Sequence, residues 1–264
     1  MTSSVTPRRP RLHFGQLDID DLSFAEALDA IAALVDAGQG GTVLTPNVDH
    51  VVLCEKDARL RDAYASASLS LVDGMPLLWA SRLLGRPLPE KISGSDLILP
   101  LMKLAAERHD RVYFLGGAPG VAELAARHLR ELVPGLNVVG TDAPRIDVDR
   151  EPPVEDEVIA RVHAARPDLI LVALGCPKQE IFMSRMASAL RPAVMLGIGA
   201  GLDFWAGTAQ RAPAWVSASG LEWLYRLARE PRRLWRRYLV RDPEFLVILL
   251  RELRSRERAR AAPT

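Results

Sequence analysis

The sequence predicts an α/β protein, a Rossmann-like parallel sheet with helices on both faces, followed by an all-helical basic appendage. Between residues 21 and 214, short apolar runs alternate with segments in which apolar residues recur at helical spacing. From residue 215 onward only the helical spacing remains. Charge divides the chain at nearly the same place. Residues 222–264 hold 12 Arg, no Lys and 6 acidic residues, a net charge of +6, which leaves 22 basic against 27 acidic residues, or −5, before them.

These boundaries predict the domains. Residues 1–20 form a leader, residues 21–214 the α/β domain, residues 215–256 the helical appendage and residues 257–264 a frayed tail. With 264 residues, 48% of them hydrophobic and 25% charged, the chain can bury a globular core, which excludes a disordered or fibrous protein.

Strands and helices should alternate through the α/β domain. The first helix begins at Asp21 or Ser23, either of which can cap it, and ends at the glycines of 38–41. The predicted strands are 41–45, 68–72, 111–116, 137–141, 168–175 and 193–200. The later helices are 48–67, 76–85, 121–133, 155–165 and 178–190, and then, in the appendage, 215–230, 231–240 and 243–258.

Cysteine content and hydropathy indicate the cellular compartment in which the protein is expected. Because the only cysteines are Cys54 and Cys176, neither a disulfide framework nor a four-cysteine zinc site is predicted, and a reducing compartment is expected. The first 14 residues lack the apolar stretch of a signal peptide. The longest strongly apolar run, 245–250, is far too short to cross a bilayer. We therefore expect a cytoplasmic protein that touches a membrane without crossing it.

Candidate site residues follow the predicted strands. In an open parallel sheet, ligands bind beyond the carboxyl ends of the strands. The residues at those ends are mainly polar groups and glycines, namely Thr45, Pro46, Asn47, Asp73, Gly74, Gly116, Gly117, Gly175, Pro177, Lys178, Gln179, Glu180, Gly199, Ala200, Gly201 and Asp203.

Two of these side chains, Asp73 and Asn47, each have two interpretations. Asp73 ends an apolar strand and is either a general base or an acceptor for the backbone amides of the turn 74–77. Thr45 and Asn47 either orient a sugar hydroxyl or phosphate, or, for Asn47, cap the helix that follows.

The glycines of residues 114–120 resemble a phosphate loop. Gly116 and Gly117 would allow a ligand to approach closely, and the following helix N-terminus would attract an anion. The segment matches neither the dinucleotide GxGxxG pattern nor a Walker A sequence, so its signal for a nucleotide is weak.

No metal site is predicted. Two Asp-x-Asp strings, Asp18 with Asp20 and Asp147 with Asp149, are of a kind that holds divalent metal in some sugar transferases, but both lie in polar connecting segments. The five histidines are scattered, without the HxxxH or HExxH spacing of a metal site.

Seven segments, taken together and in order, resemble the WecG/TagA/CpsF family of bacterial glycosyltransferases over about residues 12–250. They are TPNVDH (45–50), LVDGMP (71–76), SGSDL (93–97), FLGG (114–117), LGCPKQE (174–180), GIGAGLDFWAGTAQRAP (197–213) and LEWLYRLAREPRRLWRRYL (221–239). The resemblance implies transfer of a sugar from a UDP-sugar to the 4-hydroxyl of a sugar such as GlcNAc on undecaprenyl diphosphate, with inversion and no cofactor. Such lipid-linked products are precursors of teichoic acid linkage units, enterobacterial common antigen and exopolysaccharides.

The resemblance also implies roles for site residues. Asp73 would be the catalytic base, with Thr45 and Asn47 beside it, and Gln179 and Asp203 would line the donor site.

Basic residues would then bind the diphosphates. Arg226, Arg233 and Arg236 fall where the family places arginines that bind UDP. Lys91 stands where the family commonly has arginine, and a lysine keeps the charge but loses bidentate phosphate geometry. Without a metal, stabilisation of the departing UDP falls to such cations.

The appendage mixes arginine with apolar residues. Helices of this kind either lie at an anionic bilayer surface or pack on the α/β domain, and we expect both, with residues 245–250 the better membrane candidate. Without lipid, the same surface could be buried by self-association into a homo-oligomer. Two alternative functions are compatible with part of this pattern. The first is a nucleotide-dependent oxidoreductase, but this sequence lacks the GxGxxG motif of that class. The second is a basic nucleic-acid-binding module, but the Trp and Leu residues interleaved with the arginines favour a membrane or core face.

Overall fold

A computed structural model describes residues 11–149 and 156–261. Its centre is a six-stranded parallel sheet with the strand order β4-β3-β8-β7-β5-β6, next to a separate two-stranded antiparallel sheet of β1 and β2. The α/β fold class is therefore confirmed. The strands are β1 Arg11–Phe14, β2 Leu17–Asp20, β3 Gly41–Leu44, β4 Leu69–Ser70, β5 Arg111–Gly116, β6 Asn137–Asp142, β7 Leu169–Ala173 and β8 Val194–Gly197.

Helices cover both faces of this sheet. Alternate residues of each central strand belong to opposite core clusters, so that Tyr113 and Leu115 of β5 face one cluster and Val112 and Phe114 the other. The helices are α1 Phe24–Ala37, α2 Val48–Cys54, α3 Ala58–Ser66, α4 Met75–Leu83, α5 Gly94–Arg108, α6 Val121–Leu132, α7 Asp156–Ala165, α8 Lys178–Met186 and α9 Gly201–Ala206. The appendage adds α10 Ala214–Ala218, α11 Glu222–Arg229, α12 Pro231–Trp235, a π-helical turn Arg236–Arg241 and α13 Glu244–Ala261.

The predicted start and end of α1 are confirmed. The Ser23 side chain accepts a hydrogen bond from the amide of Glu26, whose carboxylate in turn accepts from the amide of Ser23. At the other end, Gly38 has φ 61°, a left-handed conformation that glycine adopts without strain.

Two predictions about the middle of the chain are wrong. The helix predicted over 48–67 is broken after Cys54, because Asp57 caps a second helix by accepting a hydrogen bond of 2.9 Å from the amide of Arg59. The sequence pattern predicts no helix between residues 86 and 110. The structure forms α5 there, with Ser93 as its cap and Pro100 accommodated inside it.

The segment predicted as a leader contains a hairpin. Leu12, Phe14, Leu17 and Ile19 alternate with polar residues and are all buried, so β1 and β2 add one apolar face to the core. The buried carboxylate of Asp20 accepts hydrogen bonds from Arg11 Nε at 2.7 Å and from the amide of Ser70 at 2.7 Å, which joins the hairpin to β4.

The appendage packs onto this hairpin. The ring of Phe245 on α13 stacks on Phe14 with centroids 5.2 Å apart, and Ile248 is buried beside it. The helix predicted over 215–230 is interrupted at Gly220, where φ is 75° and a Cβ atom would lie 2.6 Å from the Trp79 ring. The tail predicted to fray from residue 257 continues as helix to Ala261. In the described part of the chain, we find no helix that is both long and apolar enough to span a membrane.

Candidate active site

Two cavities of about 350 Å³ each meet above the carboxyl ends of β3, β4, β7 and β8. We call them the polar cavity, whose walls include Thr45, Gln179, Asp203 and Arg233, and the apolar cavity, whose walls include Met75, Pro76, Trp223, Tyr238, Phe245 and Leu246. Five residues line both cavities, namely Asn47, Asp73, Glu222, Arg226 and Arg237. The α/β domain and the appendage thus build one site together.

Asp73 lies at the junction of the two cavities. Within the described residues, its carboxylate accepts no hydrogen bond from the turn 74–77, so the structure does not support the backbone-capping interpretation. Burial raises the pKa of Asp73 to about 7. The Lys91 and Arg226 cations lower this pKa, whereas the carboxylates of Glu222 and Asp96 raise it. A carboxylate with this pKa is suited to accept a proton near neutral pH.

Thr45 and Asn47 lie beside Asp73 on the polar cavity wall. The hydroxyl of Thr45 donates to the carbonyl oxygen of Gly197 at 3.2 Å, which ties β3 to β8. Asn47 Oδ1 caps α2 by accepting from the amide of Asp49 at 3.1 Å, and it also accepts from Arg237 Nη2 at 3.0 Å. Asn47 therefore both caps a helix and lines the site.

Lys91 belongs to a charged network on the apolar side. Its ammonium nitrogen lies 3.1 Å from Asp96 and 3.8 Å from Glu222, while Arg211 also binds Asp96. Burial lowers the pKa of Lys91, but the carboxylates of Asp96, Asp73 and Glu222 outweigh burial, and the net shift is upward. Lys91 is therefore a fixed cation next to Asp73.

Gln179 is held rigidly in the polar cavity. Its side-chain nitrogen donates to Glu180 Oε1 at 2.9 Å, and its oxygen accepts from the amide of Gly199 at 3.0 Å. Burial raises the pKa of Glu180 to about 6. Asp203 lies at the border with a further cavity of about 460 Å³, whose walls include Phe204, Gln210 and Tyr225.

Two of the three predicted arginines reach the site. Arg226 and Arg233 line the polar cavity, whereas Arg236 is not part of its described walls and instead places its guanidinium 5.3 Å from the Trp235 ring. Arg237, which is not among the predicted site residues, lines both cavities. Since Arg237 follows Arg233 by four positions, it lies on the same helical face, and this spacing could have identified it from the sequence.

The predicted glycine loop does not line the site. Neither Gly116 nor Gly117 is among the residues lining the described cavities, because the site lies over β4, β3, β8 and β7 rather than over β5. A Cβ atom at Gly116 would overlap the backbone of Ala173, and one at Gly117 would lie 3.0 Å from Val121. Close packing of the chain, rather than ligand approach, explains both glycines.

A helix N-terminus that the predicted site residues did not include faces the polar cavity. Ser93, Gly94 and Ser95 at the start of α5 line it, and Ser93 caps the helix. A Cβ atom on Gly94 would lie 2.5 Å from the carbonyl oxygen of Gly197, so only glycine lets the helix approach β8 this closely. The amide groups of such a helix N-terminus attract anions.

Both Asp-x-Asp strings contact basic side chains. Asp18 lies 2.8 Å from His13, Asp20 pairs with Arg11 at 2.7 Å, and Asp149 lies 2.7 Å from Arg59. Neither string lies at the cavities described above.

A different group offers metal-ligand atoms. In the described chain, the atoms of His50, Cys176 and Glu180 that could bind a metal lie within 4.8 Å of one another, at the wall of the polar cavity. Burial and, to a lesser extent, the Arg237 and Arg241 cations together lower the pKa of His50 to about 3. The same two cations oppose the binding of a positive ion there.

Over nearly its whole length, the chain is similar in sequence to known glycosyl transferases. The model of the glycosyl transferase WecG/TagA/CpsF family matches residues 12–259. The chain is 32% identical to an N-acetylglucosaminyldiphosphoundecaprenol N-acetyl-beta-D-mannosaminyltransferase of Bacillus spizizenii over 94% of its own length and 92% of the relative's. It is 28% identical to a transferase of the same name from Bacillus subtilis, over 84% of each chain.

Proposed function

The chain belongs to the glycosyl transferase WecG/TagA/CpsF family, and from this premise we propose that it transfers a sugar from a UDP-sugar to the 4-hydroxyl of a sugar such as GlcNAc on undecaprenyl diphosphate. The product would be a lipid-linked precursor of teichoic acid or of another cell-surface polysaccharide. One observation carries the proposal: a polar and an apolar cavity meet at Asp73. An enzyme that joins a nucleotide sugar to a lipid-linked sugar needs two unlike pockets and a base between them.

The polar cavity suits the UDP-sugar donor. Arg226, Arg233 and Arg237 line it, and arginine forks match the oxygens of a diphosphate. The N-terminus of α5, which lines the same cavity, adds amide donors and a favourable dipole. Gln179, pinned by its two hydrogen bonds, and Asp203 are placed to bind polar groups of the donor.

The apolar cavity suits the lipid-linked acceptor. Met75, Trp223 and Leu246 are among its walls, and Leu246 is also 60% exposed, so the cavity opens at the surface of the appendage. A prenyl chain could leave along this opening toward a membrane. Lys91, which lines this cavity, would supply a cation for the acceptor diphosphate, and as a lysine it would bind as a point charge.

The chemistry then follows from Asp73. Its carboxylate takes the proton of the acceptor hydroxyl while that oxygen forms a bond to the anomeric carbon of the donor. The bond from this carbon to UDP breaks on the opposite face, which inverts the configuration. A positioned base contributes about 10²- to 10⁴-fold to the rate. The three arginines take up the charge that develops on the UDP, so we propose that the reaction needs no metal ion.

The appendage also fits a membrane surface. Exposed apolar side chains lie on it among many arginines, and these residues include Trp215, Leu221, Leu224, Trp235, Leu239, Val240, Leu246, Val247 and Leu250. Phe245 and Ile248 of the same segment are buried, with Phe245 stacked on Phe14 of the hairpin, whereas Leu246, Val247 and Leu250 are exposed. We place the enzyme peripherally on the cytoplasmic face of the membrane, where anionic lipid attracts arginine.

The test is turnover of a panel of UDP-sugars on a short-chain lipid diphosphate GlcNAc acceptor. We expect transfer from one of them, with a β or α linkage opposite to that of the donor. Asp73→Asn is the control, and it should form product about 10²- to 10⁴-fold more slowly while still binding UDP. Absence of transfer from every UDP-sugar, with the protein folded, would contradict the proposal.

A further inference from the structure

A buried carboxylate outside the set of predicted site residues holds the appendage at the active site. Asp49, in the first turn of α2, is only 3% exposed, yet the α/β domain supplies no cation to it within the described residues. Its ion-pair partners come from the π-helical turn of the appendage. Arg241 Nε lies 2.5 Å from Asp49 Oδ1, and Arg241 Nη2 donates to Oδ2 at 3.0 Å.

The second partner of Asp49 is Arg237. Its Nε lies 3.3 Å from Asp49 Oδ2, while its Nη2 donates to Asn47 Oδ1 at 3.0 Å. Asn47 thus accepts a hydrogen bond from one nitrogen of the Arg237 guanidinium, while Asp49 forms an ion pair with another of its nitrogens. Arg237 lines both the polar and the apolar cavity, whereas Arg241 lines neither.

From these contacts we propose that Asp49 is a positioning residue for sugar transfer: it sets the guanidinium of Arg237 at the junction of the two cavities. Asp49 itself is not among the residues that line the two cavities, so it would act only through Arg237. The inference rests on the proposed function, in which Arg237 binds the donor diphosphate.

Orientation is what Asp49 would contribute. A guanidinium on a flexible side chain loses conformational freedom when it binds a ligand, and a fixed partner removes part of that loss beforehand. The pairing also makes the position of the Arg237 guanidinium depend on how the appendage docks, because Asp49 lies in the α/β domain and Arg237 in the appendage. Asp242, 3.9 Å from Arg237 Nε, is a more distant second carboxylate on the same turn.

A double-mutant cycle on UDP affinity tests this proposal. Arg237→Gln and Asp49→Asn should each weaken UDP binding by roughly tenfold or more, as expected for a charge-assisted contact. In the Arg237→Gln background, Asp49→Asn should add less than about a twofold change, because a residue that acts through Arg237 has nothing left to position. Calorimetry with UDP alone provides both measurements.

Glu55→Gln is the matched control. Glu55 follows α2 and binds Arg251 of α13 at 2.6 Å, so this change also removes an ion pair between the α/β domain and the appendage. Since neither residue lines the two cavities, UDP affinity should stay as in the native protein. A loss equal to that of Asp49→Asn would mean that Asp49 only docks the appendage, which would overturn the inference.

A second variant tests the proposal if Asp49→Asn fails to fold. Asp49→Asn leaves two arginines beside a neutral side chain, and the loss of one partner of a buried pair is strongly destabilising. The pair of changes Asp49→Asn and Arg241→Gln removes one charge of each sign and should fold, yet still bind UDP weakly. Native UDP affinity in that double variant would refute the positioning role. Native affinity in Arg237→Gln would instead remove the premise that Arg237 binds the donor, and the inference with it.

Discussion

Asn47 and Arg237 are 190 positions apart in the chain, yet Arg237 Nη2 donates a hydrogen bond of 3.0 Å to Asn47 Oδ1. Asn47 follows a strand of the sheet, and Arg237 lies in the π-helical turn of the appendage. The bond therefore joins the two parts of the chain at the point where both cavities meet. Several consequences of this arrangement can be measured.

Asp73→Asn should abolish turnover and stabilise the fold at alkaline pH. Loss of the base should lower kcat by about 10²- to 10⁴-fold. Because burial raises the pKa of Asp73 to about 7, the folded state disfavours its ionised form, and that cost is present above pH 7. Asparagine carries no such cost. Thermal unfolding at pH 8 should therefore show a higher Tm for Asp73→Asn, and a lower Tm would contradict the buried-base assignment.

The rate should depend on pH through the same carboxylate. A general base must be deprotonated, so kcat/KM should rise with pH up to about 7 and then level off. Lys91→Gln removes a cation that lowers the pKa of Asp73 and should shift this profile to higher pH. Glu222→Gln removes an anion that raises the pKa and should shift the profile to lower pH. Shifts in the same direction would show that the titrating group is not Asp73.

Arg236 and Arg237 should differ although they are neighbours. Arg237→Gln should weaken UDP binding by about 10- to 100-fold, as for a lost hydrogen bond between charged groups. Arg236→Gln should change it by less than about twofold, because the Arg236 guanidinium lies over Trp235 and is outside the described cavity walls. Calorimetry with UDP on the two variants measures both effects. If Arg236→Gln weakened UDP binding more than Arg237→Gln, the UDP contact would belong to Arg236, as the sequence resemblance implies.

Removal of divalent ions should leave transfer unchanged. The departing UDP is expected to be stabilised by the arginines of the polar cavity, and the cations near His50 and Cys176 oppose metal binding at that wall. The measurement is turnover after dialysis against a chelator, with and without added magnesium, manganese or zinc. Activity that returns only with an added metal would mean that an ion takes part.

Truncation after residue 221 should abolish transfer while the rest of the chain still folds. The shortened chain keeps the whole sheet but loses Arg226, Arg233 and Arg237, so transfer should disappear. It also exposes Phe14, which stacks on Phe245, and should therefore unfold at a lower temperature. Circular dichroism and a thermal melt test both points. Undiminished turnover of the truncated protein would refute the role of the appendage.

Local patterns determined much of this protein. Apolar runs and helical spacing predicted the α/β class, the six sheet strands and the helical appendage, because both periodicities are properties of short segments. The capping of α1 by Ser23 was predicted for the same reason. Asp73, Thr45, Asn47, Gln179 and Asp203 could be proposed as site residues because the carboxyl ends of parallel strands share one edge of the sheet.

Only the tertiary structure decided which strands and which arginines build the site. Strand order is set by packing between distant segments, and it places Gly116 and Gly117 of β5 outside the described cavities although their sequence resembles a phosphate loop. That Arg237 rather than Arg236 lines the polar cavity depends on how the appendage docks, and the contacts of Arg237 with Asp49 and Asn47 are part of that docking. Those contacts join residues nearly two hundred positions apart, and no local spacing encodes them.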